Sequence, residues 1–182
     1  NGTSFGWNSA SSSTLAAGKN ISIGGGGFNG GYLQLYNFTQ NGNAASTISL
    51  ASVATMYFTG TTTLGGAINV TAGDIYVRGL TANGAASFTK TGGTSNHNNG
   101  SVNTFNSTLT INQQSSSGYF MLGYNSADAF NDNVTVTSTG SGGIYLGYSN
   151  GTGTPTLAAG KTVVIGGAGF SSGFLYFGHL TQ

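Results

Sequence analysis

TLAAGKNISIGGGGFNGGYLQLYNFTQ runs from Thr14 to Gln40, and TLAAGKTVVIGGAGFSSGFLYFGHLTQ runs from Thr156 to Gln182. Aligned without a gap, 15 of the 27 positions are identical, so the chain carries a 142-residue period. That period is too long for one supersecondary unit, so shorter units must lie inside it. One short pattern keeps returning: an apolar or small residue, three spacers, then two inward residues flanking an outward one. It reads Leu64, Ile68, Val70, then Phe105, Leu109, Ile111, then Phe130, Val134, Val136. Copies with alanine in the first slot are Ala17, Ile21, Ile23, then Ala44, Ile48, Leu50, then Ala159, Val163, Ile165; a poorer copy includes Phe88 and Lys90. The second slot falls at Ile21, Ile48, Ile68, Phe88, Leu109, Val134 and Val163. Six units, stepping by 20 to 29 positions, therefore fill the long period.

A second pattern alternates with the first. Its inward pairs are Leu33/Leu35, Met56/Phe58 and Ile75/Val77, followed by Phe120/Leu122, Ile144/Leu146 and Leu175/Phe177. A period of two is the signature of a half-buried strand, and no helical period competes with it. Val, Ile, Thr, Tyr and Phe suit strands, and glycine-rich breaks separate them. Two short strands per unit, repeated in one register, predict an all-β fold: a parallel β-solenoid (β-helix) with about six coils per 142-residue repeat. Each coil would lie about 4.8 Å above the last, so a repeat would rise roughly 29 Å. One coil cannot bury its apolar face, but a stack buries a continuous column. A β-sandwich would also show recurring strands, yet has no reason to repeat one register seven times. The whole chain, 1–182, reads as one continuous solenoid segment excerpted from a longer array.

The composition agrees. Charged residues are 4%, Glu is absent, and Gly contributes 33 of 182 residues. In a stack each side chain sits beside its counterpart, where like charges repel and Ser, Thr, Asn and Tyr do not. A net charge of +1 argues against nucleic acid, which needs clustered Lys and Arg. The single proline excludes collagen and polyproline architectures, and no apolar run is long enough for a membrane-spanning helix. With no cysteine, disulfides cannot hold the chain together.

The runs TFNSTLTI and AFNDNVTVTSTGSGGIYLGYSNGTG, with SFTKTG upstream, resemble the "β-strand repeat" arrays of giant cell-surface proteins of gliding and biofilm-forming Gram-negative bacteria. Such proteins are typically exported by the type IX secretion system and include the long adhesin filaments of gliding motility. The resemblance implies an extracellular fibre or adhesin stalk on the cell surface, without enzyme activity.

Residue supply points away from catalysis and metals. Acid–base work wants a carboxylate pair or a partnered His. Asp128 and Asp132 flank Phe130 and read as turn carboxylates that aid solubility. Zinc needs clustered Cys and His, whereas His97 and His179 are far apart and Cys is absent. GGGG at 24–27 reads as a turn that lets coils stack closely, since no Lys-Ser/Thr follows it. No cofactor is expected. KTGGTSNHNNGSVN, residues 90–103, replaces a second-type strand and reads as a polar loop with a solvated His97.

Outward positions carry what binding signal there is. On the first strand set they are Ser22, Ser49, Asn69, Thr89, Thr110, Thr135 and Val164, a mostly polar ladder. On the second they are Gln34, Tyr57, Tyr76, Met121, Tyr145 and Tyr176. Tyr57, Tyr76, Tyr145 and Tyr176 form a candidate stripe for a ligand or for lateral contact, because a flat ring can stack on a sugar or on a neighbouring fibre. Partners expected on this reading are neighbouring repeats of the same chain, identical fibres side by side or end to end, and surface glycans. Three rival functions remain: a glycan- or ice-binding module, a short subunit that polymerises end to end into a matrix fibre, and a polysaccharide-degrading β-helix. The polar ladder partly suits ice, but the unequal lengths of the units argue against a flat face.

Overall fold

The computed structural model describes residues 2–6, 11–24, 28–97, 101–148 and 153–182. These form a succession of short parallel strands wound into a β-solenoid, with no helix among the described residues. The repeated TLAAGK is a corner. In both copies Thr-Leu closes a strand, and a turn follows in which Lys19 N–H donates to Ala16 C=O at 3.1 Å and Lys161 N–H to Ala158 C=O at 3.0 Å. Gly18 and Gly160 occupy the third turn position with φ of 75° and 74°, where a type II turn requires glycine. Residues between the two copies complete the coils that separate these equivalent corners.

Each coil has three strands, not two. The first face holds Gly2–Phe5, Gly31–Tyr36, Ala54–Thr59 and Asp74–Val77, then a second four-stranded sheet of Asn96–His97, Tyr119–Leu122, Gly143–Leu146 and Leu175–Phe177. The second face is a seven-stranded sheet of two- and three-residue strands, from Ser13–Leu15 to Thr156–Leu157. The third is a seven-stranded sheet from Ser22–Ile23 to Val163–Phe170. The "first slot" of the sequence pattern therefore belongs to a strand of its own, on the second face. Strands this short bury at most two side chains each and carry no readable period.

Register corrects some assignments. Ala17, Ala44 and Ala159 are not the first-slot residues; Leu15, Gln40 and Leu157 are, in a column that continues through Leu64, Ala82, Phe105 and Phe130. On the third face Ile68 pairs with Ser46 and Ala86, so Ile48 and Phe88 sit one inward position further on, beside Val70. On this register the coils are still unequal, the shortest step running from Ile68 to Ala86 and the longest from Val134 to Val163. Ser46 takes an inward place because its hydroxyl is used: it accepts from Ile21 N–H at 3.0 Å and from Gln40 Nε2 at 3.3 Å. The inward pairs of the first face fall in register as read, Leu33 on Met56 on Ile75 and Phe120 on Ile144 on Leu175.

The inward residues of the three faces meet in one apolar column. Phe88 lies at its centre, 6.0 Å from Phe58, 6.2 Å from Phe105 and 6.0 Å from Phe120, ring centre to ring centre. The corner after the first face is a column of left-handed residues: Gly6, Asn37, Gly60, Gly79, Gly123, Gly147 and His179. Close stacking enforces glycine at Gly79, where a Cβ would lie 1.9 Å from Gly60 O. Asn37 and His179, the two non-glycine residues with positive φ among the described residues, are equivalent positions of the long period, which is therefore conformational as well as sequential. At the next corner Asn83, Asn106 and Asn131 form an amide ladder with N···O distances of 2.8 and 2.7 Å.

The stretch read as a loop over 90–103 contains a strand, Asn96–His97, which pairs with Phe120 and Met121. Residues 98–100 of it, and 25–27 of GGGG, lie outside the described residues. Below this strand the first face has a seam, since it shares no backbone ladder with Asp74–Val77. Side chains bridge the gap. The buried Asn96 Oδ1 accepts from Ile75 N–H at 3.0 Å, and Arg78 Nη2 donates to His97 C=O at 3.0 Å. Removing the Asn96 amide leaves a buried N–H without an acceptor, which costs about 1–3 kcal/mol. Asn96→Ala is therefore expected to destabilise the fold by that amount in chemical denaturation, and hydrogen exchange should show Ile75 losing protection first.

Candidate functional site

Alternation on the first face sends every second side chain outward, and the outward column reads Gln34, Tyr57, Tyr76 on the lower sheet and Met121, Tyr145, Tyr176 on the upper. Parallel in-register pairing then places ring on ring. Tyr57 and Tyr76 are stacked, 4.9 Å between centroids at 10°. Tyr145 and Tyr176 lie 5.2 Å apart at 46°. The four predicted residues thus share one face but form two groups, with the His97 and Met121 rungs between them. Met121 is buried, only 3% exposed, so it interrupts the surface stripe.

Each group is larger than the sequence pattern indicated. Tyr32 packs edge-on against Tyr57 at 5.8 Å, and the Arg78 guanidinium sits 4.7 Å over the Tyr76 ring. In the upper group Tyr119 and Phe174 surround Tyr145, and Tyr124 stacks between His97 at 4.8 Å and Tyr148 at 4.9 Å. His97 is half-buried against this ring rather than solvated. Tyr124, Tyr148 and Phe174 lie outside the alternating strand positions, in or beside the turns, which is why periodicity did not single them out. Burial, then Tyr76, pushes the Tyr57 phenol above its ordinary value; burial, then Tyr119, does the same for Tyr145.

The geometry decides what such a surface can do. In the Tyr57–Tyr76 and Tyr124–Tyr148 pairs, the facing ring surfaces are consumed by each other. A stacked aromatic pair contributes about 0.5–1.5 kcal/mol beyond its buried area, so the columns stabilise the face they stand on. What remains for a partner is a rim of ring edges and phenol hydroxyls along a nearly uncharged flank, with the Arg78 guanidinium beside it.

The carboxylates are engaged inside the molecule. Asp74 pairs with Lys90 at 2.9 Å, and the lysine side chain is 1% exposed. Lys90 Nζ also meets the carbonyls of Gly73 and Gly92, and burial lowers its pKa. Lys90 heads an inward polar column at the corner between the third and first faces, followed by Gln113 and Ser138, whose side chains donate to glycine carbonyls. Asp132 pairs with Lys161 at 2.8 Å at the surface, which holds its carboxyl below the usual range.

Asp128 is not a solubilising turn carboxylate: it is fully buried. Oδ1 accepts from Asn103 N–H at 2.9 Å and Ser126 Oγ at 2.8 Å, and Oδ2 from Asn103 Nδ2 at 3.0 Å and Gly123 N–H at 2.8 Å. Asn103 in turn accepts from Gly79 and Leu80 N–H and donates to Val77 C=O, so the cluster ties successive coils together. No group of three or more His, Cys, Asp or Glu converges on a common point among the described residues. No protein-family model, curated protein or solved structure matches the chain.

Asp128→Ala strands four donors and should destabilise the protein by at least about 2 kcal/mol, measured by chemical denaturation. Burial raises the Asp128 pKa in spite of those donors. The folded state therefore holds the proton more tightly than the unfolded chain. The stability advantage of wild type over Asp128→Ala should grow as pH falls through the raised folded value, and level off below the unfolded value of about 3.9.

Proposed function

We propose that this chain is a structural segment of an extracellular, repetitive β-solenoid fibre or adhesin stalk on a bacterial cell surface, and that it performs no catalysis. The observation that carries the proposal is the structural equivalence of the repeat. Thr14 pairs with Thr39 and Thr156 with Thr181, so the corner strand of the coil at 156–182 is placed as in the coil at 14–40, within a stack whose second and third faces are continuous. A solenoid that returns to its own starting coil can be extended without changing its design.

Three further features support this reading. Among the described residues, apolar side chains stand exposed at both ends of the column. Below, a cleft of about 430 Å³ is lined by Phe5, Leu15, Ile21, Ile23 and Phe38; above, Phe177 is 50% exposed. Further coils stacked there would cover these surfaces. Each Asp is committed to a structural partner, which leaves no free carboxylate pair for hydrolysis of a glycosidic bond. The tyrosine columns spend ring faces on one another, which favours lateral contact through hydroxyls over stacking on pyranose rings.

The test is the mass of the intact native polypeptide, extracted from the native material in denaturant without proteolysis and read by denaturing gel and mass spectrometry. The expected result is a cell-surface chain of several hundred kilodaltons in which TLAAGK recurs with the 142-residue period. A native chain close to 18.2 kDa would replace the stalk with a short subunit that polymerises end to end.

A further inference from the structure

The outward side of the third face has a regularity that the sequence conceals. From Ser46–Ser49 through Ile68–Ala72, Ala86–Lys90 and Leu109–Gln113 to Val134–Ser138, five neighbouring strands pair residue for residue without a shift. The first register irregularity comes only with the next strand, after Val136. The unequal coil lengths are absorbed at the corners, so they do not roughen the sheet.

Two outward columns result. One is Thr47, Asn69, Ser87, Thr110, Thr135; the other is Ser49, Thr71, Thr89, Asn112, Thr137. Ser49 and Thr89, placed with the first column by the sequence pattern, belong to the second, and Thr47 and Ser87 take their places. Every position carries a hydroxyl or an amide, most are threonine, and none is charged. All ten are exposed or half-exposed. Rungs are spaced about 4.8 Å apart, and outward neighbours along one strand stand about 6.7 Å apart. The result is a regular grid of hydrogen-bonding groups and methyls, held by backbone ladders rather than by flexible side chains. One cross-rung contact is already internal: Thr137 Oγ1 donates to Asn112 Oδ1 at 3.1 Å.

We propose that this face binds ice. Both grid intervals are close to oxygen–oxygen repeats on the prism surface of hexagonal ice. Threonine offers a hydroxyl to a lattice water and a methyl to the hollow beside it. A β-branched side chain in a strand has little rotamer freedom to lose, so the groups are ordered before the ligand arrives. The absence of charge matters, because strongly hydrated ions would hold disordered water at the surface. An array of this kind offers little to a soluble protein partner, which would need aromatic or arginine anchors. This inference stands apart from the fibre reading, which is decided by polypeptide mass and not by ice.

The test uses the whole 182-residue chain, fluorescently labelled and offered to a single-crystal ice surface, with ice recrystallisation measured in parallel. Wild type is expected to coat the ice and suppress recrystallisation. Thr71→Tyr with Thr110→Tyr, which raises a ring in each column, should reduce both by an order of magnitude. Thr89→Lys on the middle rung is the second variant, should the double variant melt early. Thr61→Ser, exposed at the corner between the first and second faces, should behave as wild type, and thermal melts confirm that each variant is folded. No ice adsorption by wild type at millimolar protein overturns the proposal, as does adsorption that folded Thr89→Lys leaves unchanged. Binding to a crystalline polysaccharide without binding to ice, lost in the same variants, would overturn it and reassign the face.

Discussion

Every coil of this protein must sit on a near-copy of itself. Parallel in-register pairing puts each side chain about 4.8 Å from its counterpart above and below, whatever that counterpart is. Charge is excluded by this geometry, because a column of like charges repels itself at every rung. Asparagine is favoured, since one amide can donate to one neighbour and accept from the other, as in Asn83, Asn106 and Asn131. Tyrosine is favoured because ring stacks on ring. The unusual composition and the architecture are therefore one fact seen twice.

The same constraint explains what the sequence disclosed. On the first face, strands of four to six residues bury two or three apolar positions each, and their alternation is readable. All six inward pairs and the tyrosine column could be read directly. The second face was legible only as single first-slot residues, Leu64, Phe105 and Phe130, because a strand such as Thr104–Phe105 buries one side chain and has no period at all. Register slipped wherever an inward place is held by something other than a large apolar group. Ser46 and Ala86 made Ile48 and Phe88 look like the second slot. Asn96 made a strand look like a loop.

The candidate surface was legible in part for the same reason. Tyr57, Tyr76, Tyr145 and Tyr176 follow from strand alternation, but the turn residues Tyr124 and Tyr148 that enlarge the upper group follow only from the three-dimensional path of the corners. The regularity of the third face was hidden by unequal spacing along the chain. Sequence distance counts the corner residues, and the sheet does not. Buried polarity was the hardest to read. Asn96, Asn103, Gln113 and Asp128 all look like surface residues until the coil closes around them.

The Asp128–Asn103 cluster has a consequence for how such a chain reaches its native state. Coils that resemble one another invite slippage, since a stack displaced by one whole coil still buries leucine on isoleucine. Asp128 cannot be displaced so cheaply. One coil away there is no Asn103 to offer both a backbone and a side-chain donor, and a carboxylate would be sealed in hydrocarbon without a partner. Two polar residues thus serve as an address in a monotonous landscape, raising the energy of the mis-stacked traps that repetition would otherwise make nearly degenerate with the native fold.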